Sequence, residues 1–255
     1  VGALQSQLTA NLSIGDALAA FYKGSERVEE DEFDAFTKPF LARYPGIRSL
    51  AWAPRVPVAE REEYEQILRK QGLPNAVISQ LDDQGKTVPA GQRDEYFPAT
   101  FIVSPDGELL DKGFDLASRP QFGLAIEQTS ESGNLVGAGG FRLGRPENKT
   151  EAETGAETET EAEDKSQFQD QPSGVYIFVP IYKKDVSLQT AAQRREQLQG
   201  CILAVLQLGE IVDGVAGFVE SYGLGIQLFD NSILAPEERL VYARPAPAQG
   251  ETPSA

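Results

Sequence analysis

Short apolar strands alternate with amphipathic helices over most of this chain, and the alternation limits the folds that it can adopt. The clearest strands are residues 175–182, rich in β-branched and aromatic side chains, and the apolar run 201–208. Residues 59–71 and 118–131 carry the periodicity of amphipathic helices. Further strands are predicted at 47–56, 76–81, 96–103, 135–143, 224–229 and 241–243, and a further helix at 208–219. This order favours two α+β modules over one doubly wound sheet.

The N-terminal segment predicts a helix of unusual length. Leu4, Leu8 and Leu12 recur at intervals of four, few helix breakers occur before Gly24, and the helical pattern continues towards Pro45. Two interpretations stay open. The segment is either an ordinary core helix or a stalk helix that leaves a membrane span and pairs with a second copy of the chain.

An acidic segment at residues 146–171 separates two of the predicted strands. It holds nine acidic residues against two lysines, and Phe168 is its only large apolar side chain. Such a segment cannot bury enough apolar surface to offset its chain entropy, so we predict a disordered hairpin insertion. Residues 245–255 predict a frayed tail. The whole chain carries a net charge of −16, which makes nucleic acid an unsuitable partner and an anionic membrane surface repulsive.

Several kinds of chemistry are excluded by what the sequence lacks. There is no histidine, so Ser-His-Asp and Cys-His catalysis are impossible. The single cysteine, Cys201, lies in a buried-strand context and is predicted to pack as a small hydrophobe. No phosphate-binding loop, dinucleotide fingerprint, nucleophile elbow or metal motif is present, so we expect no cofactor and no metal.

The context of the chain is also suggested by its composition. The sequence has no methionine, which suggests a piece excised from a longer protein. It has no signal peptide and no apolar run of roughly 18 residues or more, so any membrane anchor is expected in flanking helices outside the chain.

Four short segments occur in a fixed order, and none of them is a catalytic signature. They are Tyr44-Pro45-Gly46-Ile47, Trp52-Ala53-Pro54-Arg55-Val56, Tyr96-Phe97-Pro98 and Gly113-Phe114-Asp115-Leu116-Ala117-Ser118. Read in this order, they resemble the CHASE family, the extracytoplasmic sensor domains of histidine kinases and of adenylate or diguanylate cyclases. The resemblance covers most of residues 33–208.

This resemblance implies an α+β fold with a long N-terminal stalk helix followed by two PAS-like modules with antiparallel sheets. We therefore predict a stalk region at 1–45, a membrane-distal ligand-binding module at 46–198 and a membrane-proximal module with its tail at 199–255. The implied protein is a homodimer joined through the N-terminal helix, on the periplasmic side of a membrane.

The resemblance also implies a pocket on the sheet face of the distal module. Strand alternation places Thr100, Ile102 and Ser104 on one face. The competing interpretation is that such residues fill a core. Asp115 either contacts a ligand or bonds the backbone of its own turn. The candidate ligand-binding residues are Trp52, Tyr96, Thr100, Ile102, Ser104, Asp115, Ala138 and Val179.

The best-known ligand of the family is not carried over. In the plant cytokinin receptors, an aspartate and a threonine hold the adenine-type ligand. The matching positions here are Ser104 and Ala138, so both polar contacts are missing. The ligand class therefore stays open.

Three functions remain for comparison. The first is a small-molecule sensor module that signals to a cytoplasmic kinase or cyclase, as in two-component systems. The second is a dimerisation module of the same fold that binds no ligand. The third is a carboxylate-dependent glycoside hydrolase, for which two acidic residues would suffice. We favour the sensor and expect no catalytic residues.

Overall fold

The computed structural model describes residues 2–70, 73, 76–105, 110–142, 173–220, 224–229 and 240–244. The acidic insertion predicted at 146–171 and the tail predicted at 245–255 lie outside these residues. The helices are α1 Gly2–Gly24, α2 Glu30–Arg43, α3 Arg61–Lys70, α4 Pro120–Ser132, α5 Ala191–Gln197 and α6 Leu208–Glu220. The strands are β1 Ile47–Pro54, β2 Val56–Pro57, β3 Ser79–Leu81, β4 Thr87–Pro89, β5 Glu95–Tyr96, β6 Phe101–Val103, β7 Val136–Arg142, β8 Ser173–Tyr182, β9 Leu198–Gln207, β10 Ile226–Phe229 and β11 Leu240–Arg244.

The N-terminal region contains two helices with a break between them. α1 ends at Gly24, and α2 begins where the backbone N–H of Glu29 donates to the Glu32 carboxylate at 3.0 Å. Ile14 and Leu18 are buried with side chains of β8 and β9. The second half of α1 is therefore a core helix. Within the described residues, no helix combines the length and the apolar character that a membrane span requires.

A five-stranded antiparallel sheet in the order β6-β1-β9-β8-β7 forms the centre of the fold. Ile202 of β9 pairs with Trp52 on one side and with Val179 on the other. β7 and β8 form the outer hairpin, in which Arg142 and Ser173 are direct cross-strand partners. Helices cover both faces of the sheet, which confirms the predicted α+β fold with antiparallel sheets.

The position of β9 changes the predicted division of the chain. A boundary after residue 198 would cut this strand away from β1 and β8, although it pairs with both along most of its length. Its side chains are buried from Gly200 to Leu206 because a central strand is covered on both faces. The predicted boundary therefore falls at the start of a strand of the large sheet, and the division into two modules stays a prediction.

Side chains of the sheet alternate between two apolar clusters. The first cluster lies on the α4 face and includes Cys201 and Leu203, and the second lies on the α1 and α2 face and includes Ile202 and Ala204. Successive side chains of a strand point to opposite faces of the sheet, and here both sets are apolar because both faces are covered. The burial of Cys201 agrees with its predicted structural role, and burial raises the pKa of its thiol.

The strand predicted over residues 96–103 is two separate strands. Glu95–Tyr96 pairs with β2, whereas Phe101–Val103 pairs with β1 in the large sheet. Pro98 lies in the break, where its missing N–H removes a ladder hydrogen bond. The helix predicted to begin after Ser118 begins at Pro120, because Ser118 belongs to a short 3-10 turn.

Candidate ligand-binding cleft

The eight predicted site residues do not share one surface. Ile102 and Ala138 lie in the core cluster beneath α4, whereas Trp52 and Val179 lie in the cluster beneath α1 and α2. The two pairs face opposite sides of the sheet, because side chains alternate between the two faces along each strand. Tyr96 belongs to a third, smaller cluster, where it is fully buried. A ligand-binding role for each of these residues stays a prediction.

The three residues expected on one strand face have different surroundings. Ile102 is packed in the core, and the Ser104 hydroxyl donates to Ser49 Oγ at 2.7 Å. Thr100 precedes the strand and contacts the Tyr64 hydroxyl at 2.6 Å. The break before β6 removes Thr100 from the alternation, so the spacing rule did not apply to it.

Asp115 supports the backbone of its own turn. Its Oδ1 accepts from the backbone N–H of Phe97 at 2.8 Å and of Ala117 at 3.2 Å. Its Oδ2 lies 3.5 Å from Nε of Arg93 and has no hydrogen-bond partner in the described part of the chain. Desolvation is the main effect on this carboxyl and raises its pKa, opposed by the Phe97 N–H and by Arg93. Gly113, just before, adopts φ +86°, which explains the glycine at this position.

A cleft of about 730 Å³ brings two of the predicted residues together. It opens between the α1–α2 connection, the end of β1 and α3. Its walls include Trp52 and Thr100, which the sequence predicted, and Tyr22, Tyr64 and Arg55, which it did not. Pockets of this size with a few converging polar groups are typical small-molecule sites.

The aromatic wall of the cleft consists of Tyr22 and Trp52. Their ring centroids are 4.6 Å apart at an interplanar angle of 36°. The Tyr22 hydroxyl is buried and has no hydrogen-bond partner among the described residues. Burial raises the pKa of this phenol, so it stays protonated and able to donate. A buried hydroxyl without a partner destabilises a protein by about 1–3 kcal/mol.

The polar side of the cleft is formed by Tyr64 and Thr100. The Thr100 hydroxyl donates to the carbonyl oxygen of Pro98 at 3.0 Å, so its proton is already engaged. In the 2.6 Å contact Tyr64 is therefore the donor and Thr100 the acceptor. Burial raises the pKa of Tyr64 to about 12. The Tyr64 oxygen keeps lone pairs that can accept a further hydrogen bond.

Charged residues around the cleft balance one another. Its lining contains four basic residues and four acidic residues. Arg27 pairs with Glu29 at 2.9 Å, and Arg55 pairs with Glu95 and donates to the carbonyl oxygen of Arg195 at 2.9 Å. Arg55 thereby ties the end of β1 to α5.

A second cleft of about 500 Å³ lies on the other side of Arg55. Its other basic residues, Arg93 and Arg195, are also paired, with Asp115 at 3.5 Å and with Glu131 at 3.0 Å. Because these cations already have carboxylate partners, this cleft offers less to a ligand than the first.

Sequence reasoning missed Tyr22 and Tyr64 for a shared reason. Both lie on amphipathic helices, where an aromatic residue at helical spacing indicates core packing. Tyr22 follows Leu18 at i+4, so the pattern does give its helix face. It does not give the strand residue that this face meets.

The fold is an α+β module with a cleft of small-molecule size, and a comparison with known families gives its class. A model of the CHASE domain matches residues 26–155 and 160–242. The chain belongs to the CHASE family and is a sensor module. CHASE domains are extracytoplasmic sensor domains.

Other comparisons give more distant similarity. No curated protein matches the chain. One similar solved structure is the ligand-binding domain of the amino acid chemoreceptor PctC of Pseudomonas aeruginosa PAO1 in complex with GABA. Its sequence identity is 10%, the TM-score is 0.41, and the match covers 88% of this chain. The chain spans 64% of the length of that structure.

Proposed function

We propose that this chain is the extracytoplasmic sensor module of a membrane-bound signalling receptor, and that it binds a small molecule in the cleft between Tyr22, Trp52, Tyr64 and Thr100. The observation that carries this proposal is the coincidence of CHASE membership with a cleft of about 730 Å³. Two of the residues implied by the family resemblance, Trp52 and Thr100, line this cleft.

The position of the cleft suggests how binding is transmitted. Tyr22 lies near the end of α1, and Trp52 belongs to the sheet. A ligand in the cleft would therefore contact α1 and the sheet at the same time. A ligand changes a conformational equilibrium only if its affinity differs between the two states. Binding that favours one packing of α1 on the sheet would move the first turns of α1. In the full-length receptor, flanking membrane helices would carry that movement to a kinase or cyclase domain.

A thermal-shift screen with a library of small metabolites tests ligand binding. A ligand at about 100 times its Kd stabilises the protein by about 2.7 kcal/mol. We expect at least one compound to raise the unfolding midpoint. Thr100→Val should reduce that rise because it removes a polar group of the cleft. Thr87→Val, on the exposed strand β4, is the matched control and should leave the rise unchanged.

The alternative function is a dimerisation module without a ligand. It is favoured by a shallow groove along α1, formed by the small and polar residues Gly2, Gln5, Ser6, Thr9, Ala10 and Ser13, on which a second copy of the helix could pack. Sedimentation equilibrium separates the proposals. Dimerisation that Ala10→Glu abolishes and Gln7→Glu leaves intact, together with no hit in the metabolite screen, would favour this alternative.

A further inference from the structure

The first observation about ligand chemistry is the amount of aromatic surface in the cleft. Tyr22, Trp52, Tyr64 and Phe101 all contribute to its lining. Tyr22 and Trp52 already form a tilted ring pair with centroids 4.6 Å apart. Aromatic rings prefer offset or edge-on partners at centroid distances of roughly 4.5–7 Å, so this pair offers a platform that a third ring can extend.

The second observation is the unpaired hydroxyl of Tyr22. Buried polar groups in folded proteins almost always have hydrogen-bond partners, and this hydroxyl has none among the described residues. The neighbouring Tyr64 hydroxyl donates to Thr100 and is therefore not available as a donor. Tyr22 lines the cleft, so a ligand whose acceptor reaches this hydroxyl would supply the partner that it lacks.

The third observation is the charge around the cleft. Four basic and four acidic residues line it; among them Arg27 is paired with Glu29, and Arg55 is paired with Glu95 just outside the lining. A surface with equal numbers of both signs gives no net attraction to an anion or to a cation. A charged ligand would still lose its hydration on entering, so an uncharged ligand is favoured.

We propose that the cleft selects an uncharged aromatic molecule that bears a hydrogen-bond acceptor, with its ring against Tyr22 and Trp52 and its acceptor bonded to the Tyr22 hydroxyl. This assignment rests on the proposed sensor function and names the chemical class of its ligand. The acceptor would satisfy a group that the free protein leaves unpaired. Binding would also tie α1 to the sheet through a single side chain.

Three matched probes test this chemistry on the full chain. Benzamide has a planar ring and a neutral acceptor, cyclohexanecarboxamide has the same acceptor on a saturated ring, and benzoate has the same ring with a negative charge. Trp52 is the only tryptophan of the chain, so its emission reports directly on the cleft. We expect benzamide to change this emission in a saturable way. Each of the other probes should bind about tenfold more weakly, which corresponds to the loss of one modest interaction.

The variant Tyr22→Phe tests the hydroxyl separately from the ring. It should raise the unfolding midpoint of the free protein, because it removes an unpaired buried group, and weaken benzamide binding about tenfold. Tyr182→Phe is the control. Its hydroxyl already donates to the Ser130 carbonyl oxygen at 2.9 Å, so the change should lower the midpoint and leave benzamide binding unaltered.

The outcomes separate this inference from the proposed function. Equal binding of benzamide and cyclohexanecarboxamide would overturn the aromatic assignment. Unchanged benzamide affinity in Tyr22→Phe would overturn the role of the hydroxyl. If the metabolite screen yields a ligand that is charged or saturated, the sensor function stands and the inference fails. If no compound in the screen or among the probes binds, both fail.

Discussion

Among the glycines whose surroundings the structure describes, Gly200 is the one where an added methyl group should destabilise the fold most. It lies in β9 opposite Pro54 of β1, where the two backbones are in close contact. A Cβ atom added at Gly200 would lie 2.3 Å from the carbonyl oxygen of Ala53, 2.6 Å from Cη2 of Trp52 and 2.7 Å from Cα of Pro54. Two of these neighbours are backbone atoms of a paired strand, so they cannot move aside like a flexible side chain.

The magnitude of the effect follows from that geometry. Ordinary contacts begin at about 3.4 Å, so Gly200→Ala requires a shift of roughly 1 Å at the end of the β1–β9 ladder. Overpacking of a tight interior typically costs about 1–3 kcal/mol and occasionally more. We expect about 3 kcal/mol, because the obstruction is backbone. For a domain of this size that loss lowers the unfolding midpoint by about 6–12 °C.

The assay is urea and thermal unfolding, followed by Trp52 emission and by circular dichroism. Gly137→Ala is the matched control, since the added Cβ would lie an ordinary 3.5 Å from Ile177 Cδ1 in the same sheet. This control should be neutral or slightly stabilising. Gly200→Ala should also shift the emission of the folded protein, because Trp52 must move. A Gly200→Ala protein as stable as Gly137→Ala, with native emission, would refute the close approach of β9 to β1.

The remaining predictions concern two buried carboxylates, Asp115 and Glu65. Asp115→Ala should lower the free energy of unfolding by about 2–4 kcal/mol, because two backbone N–H groups lose their acceptor, and Asp115→Asn should lower it less. The raised pKa of Asp115 means that the folded state holds this proton more tightly than the unfolded state. The contribution of Asp115 to the free energy of unfolding therefore falls as the pH rises from its unfolded pKa to its folded pKa. In urea titrations at several pH values, Asp115→Asn should lack this fall. Glu65→Ala should cost about 2 kcal/mol or more, because Glu65 accepts from the buried N–H of Ile78 at 3.1 Å and pairs with Arg61. Arg69→Ala, which removes the more exposed ion pair of Glu65, should cost less than about 1 kcal/mol, and equal losses would contradict the role given to the Ile78 contact.

Local pattern was sufficient to predict most elements of this fold. The runs 175–182 and 201–208 are strands because they are rich in residues that suit a pleated, buried surface. The same pattern cannot state which strands pair. β9 lies between β1 and β8 although β1 is about 150 residues away in sequence, and only tertiary packing decides that order.

The site was less accessible to sequence reasoning than the fold. Trp52 and Thr100 were found through the family resemblance, and both line the cleft. Tyr22 was not found, because its role depends on where α1 crosses the sheet. Ile102 and Ala138 were expected in a pocket but fill the core beneath α4. The alternation of side chains along a strand shows which residues share a face of the sheet. It does not show where the helices leave that face accessible to a ligand.

The pairing of Arg142 with Ser173 has a practical consequence for engineering. Because these residues are cross-strand partners, the 30 residues between them connect two points that a two-residue turn can join. The intervening segment carries nine acidic and three basic residues, so a chain with Asn-Gly in its place has a net charge of −10. Loop closure costs about 0.6 kcal/mol per doubling of length, so the shortened hairpin gains roughly 2 kcal/mol. The same junction is a natural place to insert a fluorescent reporter domain.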